Sequence, residues 1–359
     1  MSDLPKDEVI YDCPNVHDLD DPDYDNEKNR DLNLLVADKN FHNQKKIIYW
    51  WFSSDIYNER DDNEEIDLSP LSKLKDLEIL EFVAPDEYGE WGTDAPIYTT
   101  PIDYLATSKI DNIKELQIIY PSNFKFLNNF PNIEKLFIAH SVVDRDRKED
   151  FIPLTELKNL KTLTLKGNYP WLDIDEKLSH INSNLEEITI ISNLKEEKIW
   201  LNPPEVFNFK YLQALPNLKK MSIDISKNYD YELLPHHQDP EKENDFDYSE
   251  LSYLKNLEVL DIIGPLKDLN FLSELTKLKE LYLHLEIGSV INKSFSNLNL
   301  LENFYKLVLQ SGSEVIYAFY KNADKFPNLK EIIIYEFDPG LSFPIDFNWF
   351  LSFKNITKI

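Results

Sequence analysis

Cysteine, glycine and long apolar runs are scarce in this sequence, and each shortage excludes a class of protein. A single cysteine, Cys13, leaves no internal disulfide. With only 7 Gly in 359 residues, the chain offers no Gly-rich loop that would cradle phosphate with backbone amides. Apolar runs are short, as in the six residues 47–52, whereas a membrane-spanning helix needs roughly 18 or more. A disulfide scaffold, a phosphate-loop enzyme and a helical membrane protein are therefore not expected.

Basic residues are also few. The 38 Lys and Arg face 65 Asp and Glu, which gives a formal net charge of −27. Phosphate backbones and anionic lipid surfaces repel such a chain, so we expect neither nucleic acid nor a membrane as partner. A basic protein, in contrast, would be attracted over long range. The first residues, MSDLPKDEVIYDCPNV, lack the basic head and apolar stretch of a signal peptide, which predicts a cytoplasmic protein.

The sequence has no motif that carries catalysis or binds a metal. Asp21, Asp23 and Asp25 alternate as in a calcium loop, but Asn26 stands where that loop needs Gly, and Leu32 where it needs Glu. The adjacent pair at 236–237 lacks the spacing of zinc ligands. We therefore expect no catalytic residue, no metal and no cofactor, and predict that the protein is not an enzyme.

What the sequence does have is a recurring leucine pattern. In the stretch LSELTKLKELYL, residues 272–283, leucines fall three apart and then two apart. Three-residue steps suit 3₁₀-like turns, and a two-residue step suits a strand with alternate side chains turned inward. The pattern returns at spacings of 20 to 39 residues, which indicates a stacked-repeat protein. Its aligned core positions are Leu80, Leu116, Leu136, Leu163, Ile188, Met221, Leu260, Leu281, Leu307, Ile332 and Ile359.

The core pattern L-x-x-L-x-L, as in residues 160–165 and 257–262, resembles that of the leucine-rich repeat family, with irregular repeats of a bacterial type. The family's asparagine three residues after the strand is present here as Asn168 and Asn193, and other residues replace it elsewhere. The resemblance implies an α/β leucine-rich repeat solenoid, a curved horseshoe. Its concave face would be a parallel β-sheet, and its convex face short 3₁₀ or α segments and loops.

The chain divides into three parts by composition and pattern. Residues 1–40 form an acidic N-terminal flank, and residues 41–64 an N-terminal cap with the first strand. Residues 65–359 hold about ten to eleven repeats. Insertions near 84–104 and 226–249 lengthen two of them.

The residues beside the strand leucines are expected to point outward along the concave face. Exposed aromatic and apolar side chains with polar neighbours are typical of protein interfaces. The predicted partner-binding residues are Ile119, Phe137, Ile191, Asp261, Tyr282, His284, Ile333 and Tyr335. A register shifted by one residue would turn all of them inward.

Three functions fit this scaffold. The leading hypothesis is a non-enzymatic protein–protein interaction module that binds a partner with its concave face and strand-end loops. A specific form of it is an intracellular, immunity-type neutraliser of a basic protein. The alternatives are a surface or adhesive structural protein, and the recognition part of a larger enzyme.

Overall fold

Most described repeats consist of a tight turn with 3₁₀-type hydrogen bonds followed by a short strand, and this hydrogen bonding explains the leucine spacing. In the turn that contains Ser69–Lys73, the amide of Leu71 donates to the carbonyl of Leu68, and the amides of Leu74 and Leu77 continue the same three-residue step. The stretch 269–278 repeats this ladder at 2.9–3.1 Å. A leucine at every third position therefore stays on one side of the turn, where it is buried.

The computed structural model divides the chain into two compact units, Met1–Pro170 (unit 1) and Trp171–Ile359 (unit 2). The residues that it describes are 8–11, 32–37, 42–50, 64–83, 102–119, 121–139, 154, 156–166, 184–191, 212, 215–224, 248–264, 266, 269–285, 300–310, 313–335 and 347–358. Asn168, Asn193, Cys13, the acidic triplet at 21–25 and the histidine pair at 236–237 lie outside these ranges.

Unit 1 has eight described strands in two parallel sheets. They are β1 (Glu8–Tyr11), β2 (Lys46–Trp50), β3 (Glu64–Asp67), β4 (Ile79–Val83), β5 (Ile102–Leu105), β6 (Glu115–Ile119), β7 (Lys135–Ala139) and β8 (Thr162–Lys166). The main sheet has the order β1-β2-β4-β6-β7-β8. Strand β2 lies within residues 41–64, where the first strand was predicted, but β1, from the acidic flank, pairs in front of it.

The second sheet of unit 1 pairs β3 with β5, so the insertion near 84–104 ends in a strand. Tyr104 of β5 is buried, and its ring contacts Phe82 of β4 at 5.3 Å and Phe126 at 5.3 Å. Tyr49 and Phe130 extend this row of rings at both ends. Helix α1 (Leu32–Ala37) lies against the turn Ser69–Lys73. Aromatic packing thus fills the interior of unit 1.

Unit 2 has six described strands in one parallel order. They are β9 (Glu187–Ile191), β10 (Lys220–Asp224), β11 (Val259–Ile263), β12 (Glu280–His284), β13 (Lys306–Gln310) and β14 (Glu331–Tyr335). Residues at equal positions pair directly, as Val259 pairs with Glu280 and Glu280 with Lys306. Helix α2 (Ser313–Lys321) precedes the 3₁₀ turn Ala323–Lys325 between β13 and β14.

Alternation along the strands confirms the predicted register. In every strand from β4 onward except β5, the second residue has a buried aliphatic or methionine side chain, such as Leu80, Met221 and Ile332. The side chains at the first, third and fifth positions point to the opposite face. We call the face that they form in each unit its open face.

An asparagine three residues before the strand links neighbouring repeats. Its side-chain amide donates to a backbone carbonyl in the turn of the preceding repeat at 2.5–3.2 Å. The described members of this asparagine ladder include Asn112, Asn132 and Asn159 in unit 1 and Asn256, Asn303, Asn328 and Asn355 in unit 2. The ladder satisfies turn carbonyls that the strands do not reach.

Candidate functional site

The open face of unit 2 presents aromatic and charged side chains at equal heights on neighbouring strands. Tyr282 on β12 pairs with Asp261 on β11 and with Val308 on β13. Two residues further along, His284 pairs with Ile263 and Gln310. Parallel pairing without offset therefore places side chains from four strands within hydrogen-bonding reach of one another.

Glu280 is the centre of the larger group of contacts on this face. The hydroxyl of Tyr282 donates to Oε2 of Glu280 at 2.6 Å, and the hydroxyl of Tyr305 donates to Oε1. Lys306 donates to the hydroxyl of Tyr282 at 2.8 Å and lies 3.6 Å from Glu280. Its ammonium is also 5.0 Å from the centre of the Tyr282 ring, a cation–π distance. These four residues form what we call the Glu280 network.

The Glu280 network shifts the ionisation of its members. Burial alone would raise the pKa of Glu280, but the two tyrosine hydroxyls and Lys306 outweigh it and lower that pKa. Burial and the hydrogen bond to Glu280 raise the pKa of Tyr282. The hydrogen bond that Lys306 donates to the Tyr282 hydroxyl raises the pKa of Lys306. Lys306 also lies 3.9 Å from Glu331. At neutral pH, Glu280 and Lys306 are therefore charged and the two tyrosines neutral, so the network consists of charge-assisted hydrogen bonds.

A smaller group of polar contacts lies beside it, around Asp261. Ser222 on β10 donates to Oδ2 of Asp261 at 3.2 Å. Nε2 of His284 lies 3.9 Å from Oδ1, and Nδ1 of His284 lies 2.7 Å from Oε1 of Gln310. Gly264, directly after β11, has φ 132°, and its amide donates to the carbonyl of His284. A side chain with a Cβ would strain that backbone, so glycine fixes the end of β11 against β12.

Burial raises the pKa of Asp261. Nearby Asp224 acts in the same direction, whereas His284 and the bond from Ser222 act against it. Oδ1 of Asp261 is closed to solvent and receives no hydrogen bond from the described residues. The burial of the Asp261 carboxylate is therefore less well compensated by hydrogen bonds and cations than the burial of the Glu280 carboxylate.

Five of the eight predicted partner-binding residues gather on β11, β12 and β14. Asp261, Tyr282 and His284 lie on adjacent strands, and Ile333 and Tyr335 share β14. Tyr335 is the most exposed of them at 53%. Ile191 ends β9 of the same unit and is half-buried.

The two predicted residues in unit 1 differ from this group. Phe137 is half-buried on β7. Ile119, expected to be exposed, is only 4% exposed, although the register places it on the outward side. The Tyr104 hydroxyl donates to the Ile119 carbonyl at 2.8 Å and accepts a hydrogen bond from the Ile119 amide at 3.4 Å. The insertion that supplies β5 thus closes this end of β6, and Ile119 offers almost no surface to a partner.

Three members of the Glu280 network were not among the predicted residues: Glu280 itself, Tyr305 and Lys306. A signal for them was present in the sequence. The first strand positions of the last repeats alternate in charge as Glu280, Lys306 and Glu331, and parallel pairing places such residues side by side.

Two further types of site were sought in the described part of the chain. It contains no group of three His, Cys, Asp or Glu side chains placed to hold a metal ion. None of its helices has the length and apolar character needed to cross a membrane.

Comparisons with known proteins give likenesses among solved structures only. No family model matches the chain, and no curated protein does. The structure of an internalin, InlF, from Listeria monocytogenes str. 4b F2365 is 18% identical, with a TM-score of 0.45, over 91% of this chain and 76% of that one. The leucine-rich repeat domain of APL1B is 12% identical, with a TM-score of 0.34, over 84% of each chain.

The fold assignment therefore rests on the repeats themselves. Described repeats such as those ending in β4, β7, β11 and β12 combine apolar residues at three-residue steps in a turn with one short parallel strand and two inward strand residues. By this architecture, each unit has a leucine-rich repeat fold.

Proposed function

We propose that the protein is a non-enzymatic interaction module that binds a protein partner through the open face of unit 2 and the adjoining strand-end loops. One observation carries this proposal: the Glu280 network holds polar and aromatic side chains in place on the same face that carries the exposed ring of Tyr335 at the end of β14. Side chains that are already ordered lose little entropy on binding. Tyrosines with a polar surround are common energetic centres of protein interfaces.

The proposed partner is a basic protein, and the distribution of charge supports this choice. Within the described ranges, lysines nearly match Asp and Glu in number. Most of the net charge of −27 therefore belongs to the acidic flank and the insertions. These segments would attract a basic protein from a distance, and the open face would then make the specific contacts. An immunity-type neutraliser in the cytoplasm is the specific form of function that we propose.

The test is binding of a purified basic partner, first isolated by affinity capture from the source cells. The native protein is compared with a variant that combines Tyr282→Ala, Ile333→Ala and Tyr335→Ala, by calorimetry at about 0.05 and 0.5 M salt. We expect the variant to bind at least about 30-fold more weakly, because truncation of interface aromatics costs roughly 2 kcal/mol or more. We also expect the native affinity to fall with salt.

A matched control has Tyr253→Ala and Tyr317→Ala. These tyrosines are exposed in the same unit, but they lie on a 3₁₀ turn and on helix α2, outside the strands. The control should bind like the native protein, and circular dichroism should show that all three proteins are folded. Equal losses in both variants, or a loss in neither, would contradict the proposed surface.

A further inference from the structure

In most described repeats, the residue directly before the strand of the main sheet belongs to a row whose charge changes sign from one repeat to the next. Four lysines of this row lie 2.6–3.4 Å from a carboxylate oxygen of the glutamate in the preceding repeat. In unit 2 the row ends before β13, where Tyr305 occupies the same position. The members of this charge row are Lys45, Glu78, Lys114, Glu134 and Lys161 in unit 1 and Glu186, Lys219, Glu258 and Lys279 in unit 2.

The attraction within the charge row is not confined to the bonded pairs. Lys279 donates to a carboxylate oxygen of Glu258 at 2.7 Å, and this bond lowers the pKa of Glu258. Lys219, on the opposite side of Glu258, acts on that pKa in the same direction. In unit 1, Glu134 likewise lies between two lysines that both lower its pKa. Each unit therefore has a continuous row rather than isolated ion pairs.

The other contacts that join neighbouring repeats do not distinguish one repeat from the next. The backbone carbonyl of Glu258 accepts the amides of Lys279 and Glu280 at 2.7 and 3.1 Å. The carbonyl of Lys279 accepts the corresponding two amides of the following repeat at 2.9 and 3.2 Å. The asparagine ladder and the inward strand residues also recur irrespective of a repeat's place in the array. Of these recurring contacts in the described ranges, the charge row is the one with a period of two repeats.

We propose that the charge row fixes the order in which the repeats stack. Neighbouring strands lie about 4.8 Å apart, so residues at equal positions face one another. Opposite charges in such positions attract, and equal charges destabilise the pairing. If the repeat of β11 were looped out, Lys219 would meet Lys279, and the junction would keep its backbone bonds but not its charge pairing. Incorrect assembly of similar units is a characteristic failure of repeat proteins, and the row opposes it.

The experiment is a cycle of pair exchanges in unit 2, followed by thermal melting. Exchange A combines Glu186→Lys with Lys219→Glu, exchange B combines Glu258→Lys with Lys279→Glu, and a third variant carries both. Either exchange alone preserves its own ion pair but places equal charges at positions 219 and 258. We expect each alone to lower the melting midpoint by about 2 °C. The combined variant restores the alternation, so its midpoint should lie within about 1 °C of the native protein despite twice as many substitutions.

A matched control is the exchange of Glu134→Lys with Lys161→Glu, which belongs to the row of unit 1 and is not adjacent to exchange B. The midpoint shifts of this control and of exchange B should be additive within about 0.5 °C. The coupling between exchanges A and B should fall by about half in 0.5 M salt, because salt screens exposed charges. Additive losses for A and B would indicate independent ion pairs and overturn the proposal.

Refolding after dilution from urea tests the stacking order itself. In exchange B, Lys219 would attract the carboxylate of Lys279→Glu when the repeat between them is looped out. We therefore expect A and B each to show an additional slow refolding phase relative to the native protein and the combined variant. Coupling in the melting midpoints without such a phase would overturn the role of the row in stacking order. Neither result depends on a binding partner.

Discussion

The open faces of the two units have the same register but different chemistry. In unit 1, the face carries ion pairs between neighbouring strands, such as Lys46 with Glu81 at 3.3 Å and Lys135 with Glu115 at 2.7 Å. In unit 2, the Glu280 network connects four side chains, two of them tyrosines. Because the backbone geometry is the same, the residues between the leucines determine which side-chain contacts form on each face.

The aromatic residues show the same difference. Unit 1 places a row of rings inside, from Tyr49 through Phe82 and Tyr104 to Phe130. Unit 2 places Tyr282, Tyr305 and Tyr335 on or beside its open face, although it also buries shorter sets of ring contacts, Phe304–Phe326–Phe319 and Tyr248–Phe271. Aromatic surface thus contributes mainly to stability in unit 1, and it is available for recognition in unit 2.

The largest expected effect comes from breaking the interior row of unit 1. Phe82→Ala removes a fully buried ring that contacts both Tyr49 and Tyr104, and should cost about 3–5 kcal/mol of unfolding free energy. Hydrogen–deuterium exchange should show the loss in β2, β4 and β6. Tyr335→Ala, which removes an exposed ring of unit 2, should cost less than about 0.5 kcal/mol. Similar losses in the two variants would refute the contrast between interior and surface aromatics.

An intermediate effect is expected from Glu280→Gln, which removes the charge that three donors share. We expect a loss of about 1 kcal/mol at neutral pH, since the carboxylate is partly open to solvent. Because the pKa of Glu280 is lowered from 4.5, its contribution is present above that pH and disappears as the pH falls through the lowered value.

Urea unfolding between pH 3 and 7 measures this difference. The native protein and Glu280→Gln should converge as the pH falls below the lowered pKa of Glu280, whereas Glu115→Gln in unit 1 should lie close to the native protein throughout. A constant gap for Glu280→Gln over the whole range would exclude the charge as its cause.

The smallest effect is a difference in unfolding free energy between substitutions of two lysines, each at the first position of its strand. Lys135 is 58% exposed and pairs with Glu115, whereas Lys306 is 23% exposed and contacts Glu280, Glu331 and the Tyr282 hydroxyl. Lys135→Met should change the unfolding free energy by no more than about 0.5 kcal/mol, and Lys306→Met should lower it by about 1 kcal/mol. Urea unfolding in 0.5 M salt should bring the first value close to zero and leave most of the second, because salt screens exposed pairs more than partly buried ones. The reverse ranking would contradict the connected character of the unit 2 face.

The repeat fold and its register were predictable because both depend on a short-range rule. Leucines three apart define the turn, and two inward residues define each strand, as Leu281 and Leu283 do in β12. This rule predicted ten strands, β4 and β6 to β14. It did not predict β5, which lies in an insertion without the leucine pattern. Strand β1 was missed for a related reason, since the acidic composition around it predicts a solvated tail.

The candidate site was less predictable because exposure depends on what packs over the sheet. Ile119 follows the outward register but is buried, and so is Val308. The Glu280 network also needs Tyr305, which precedes β13 rather than belonging to it. The asparagine ladder was overlooked because the expected asparagine follows the strand, whereas here Asn132 and its equivalents precede it.

The asparagine ladder gives the chain a simple rule for changing its length. Each asparagine reaches only the repeat before it, as Asn328 reaches the carbonyl of Glu302 and Asn355 that of Pro327. A duplication or deletion that runs from one such asparagine to the next would therefore recreate the same bond at the new junction. Whole repeats are interchangeable at these points, so an evolving gene could lengthen or shorten the array and vary the recognition surface without redesigning the connections.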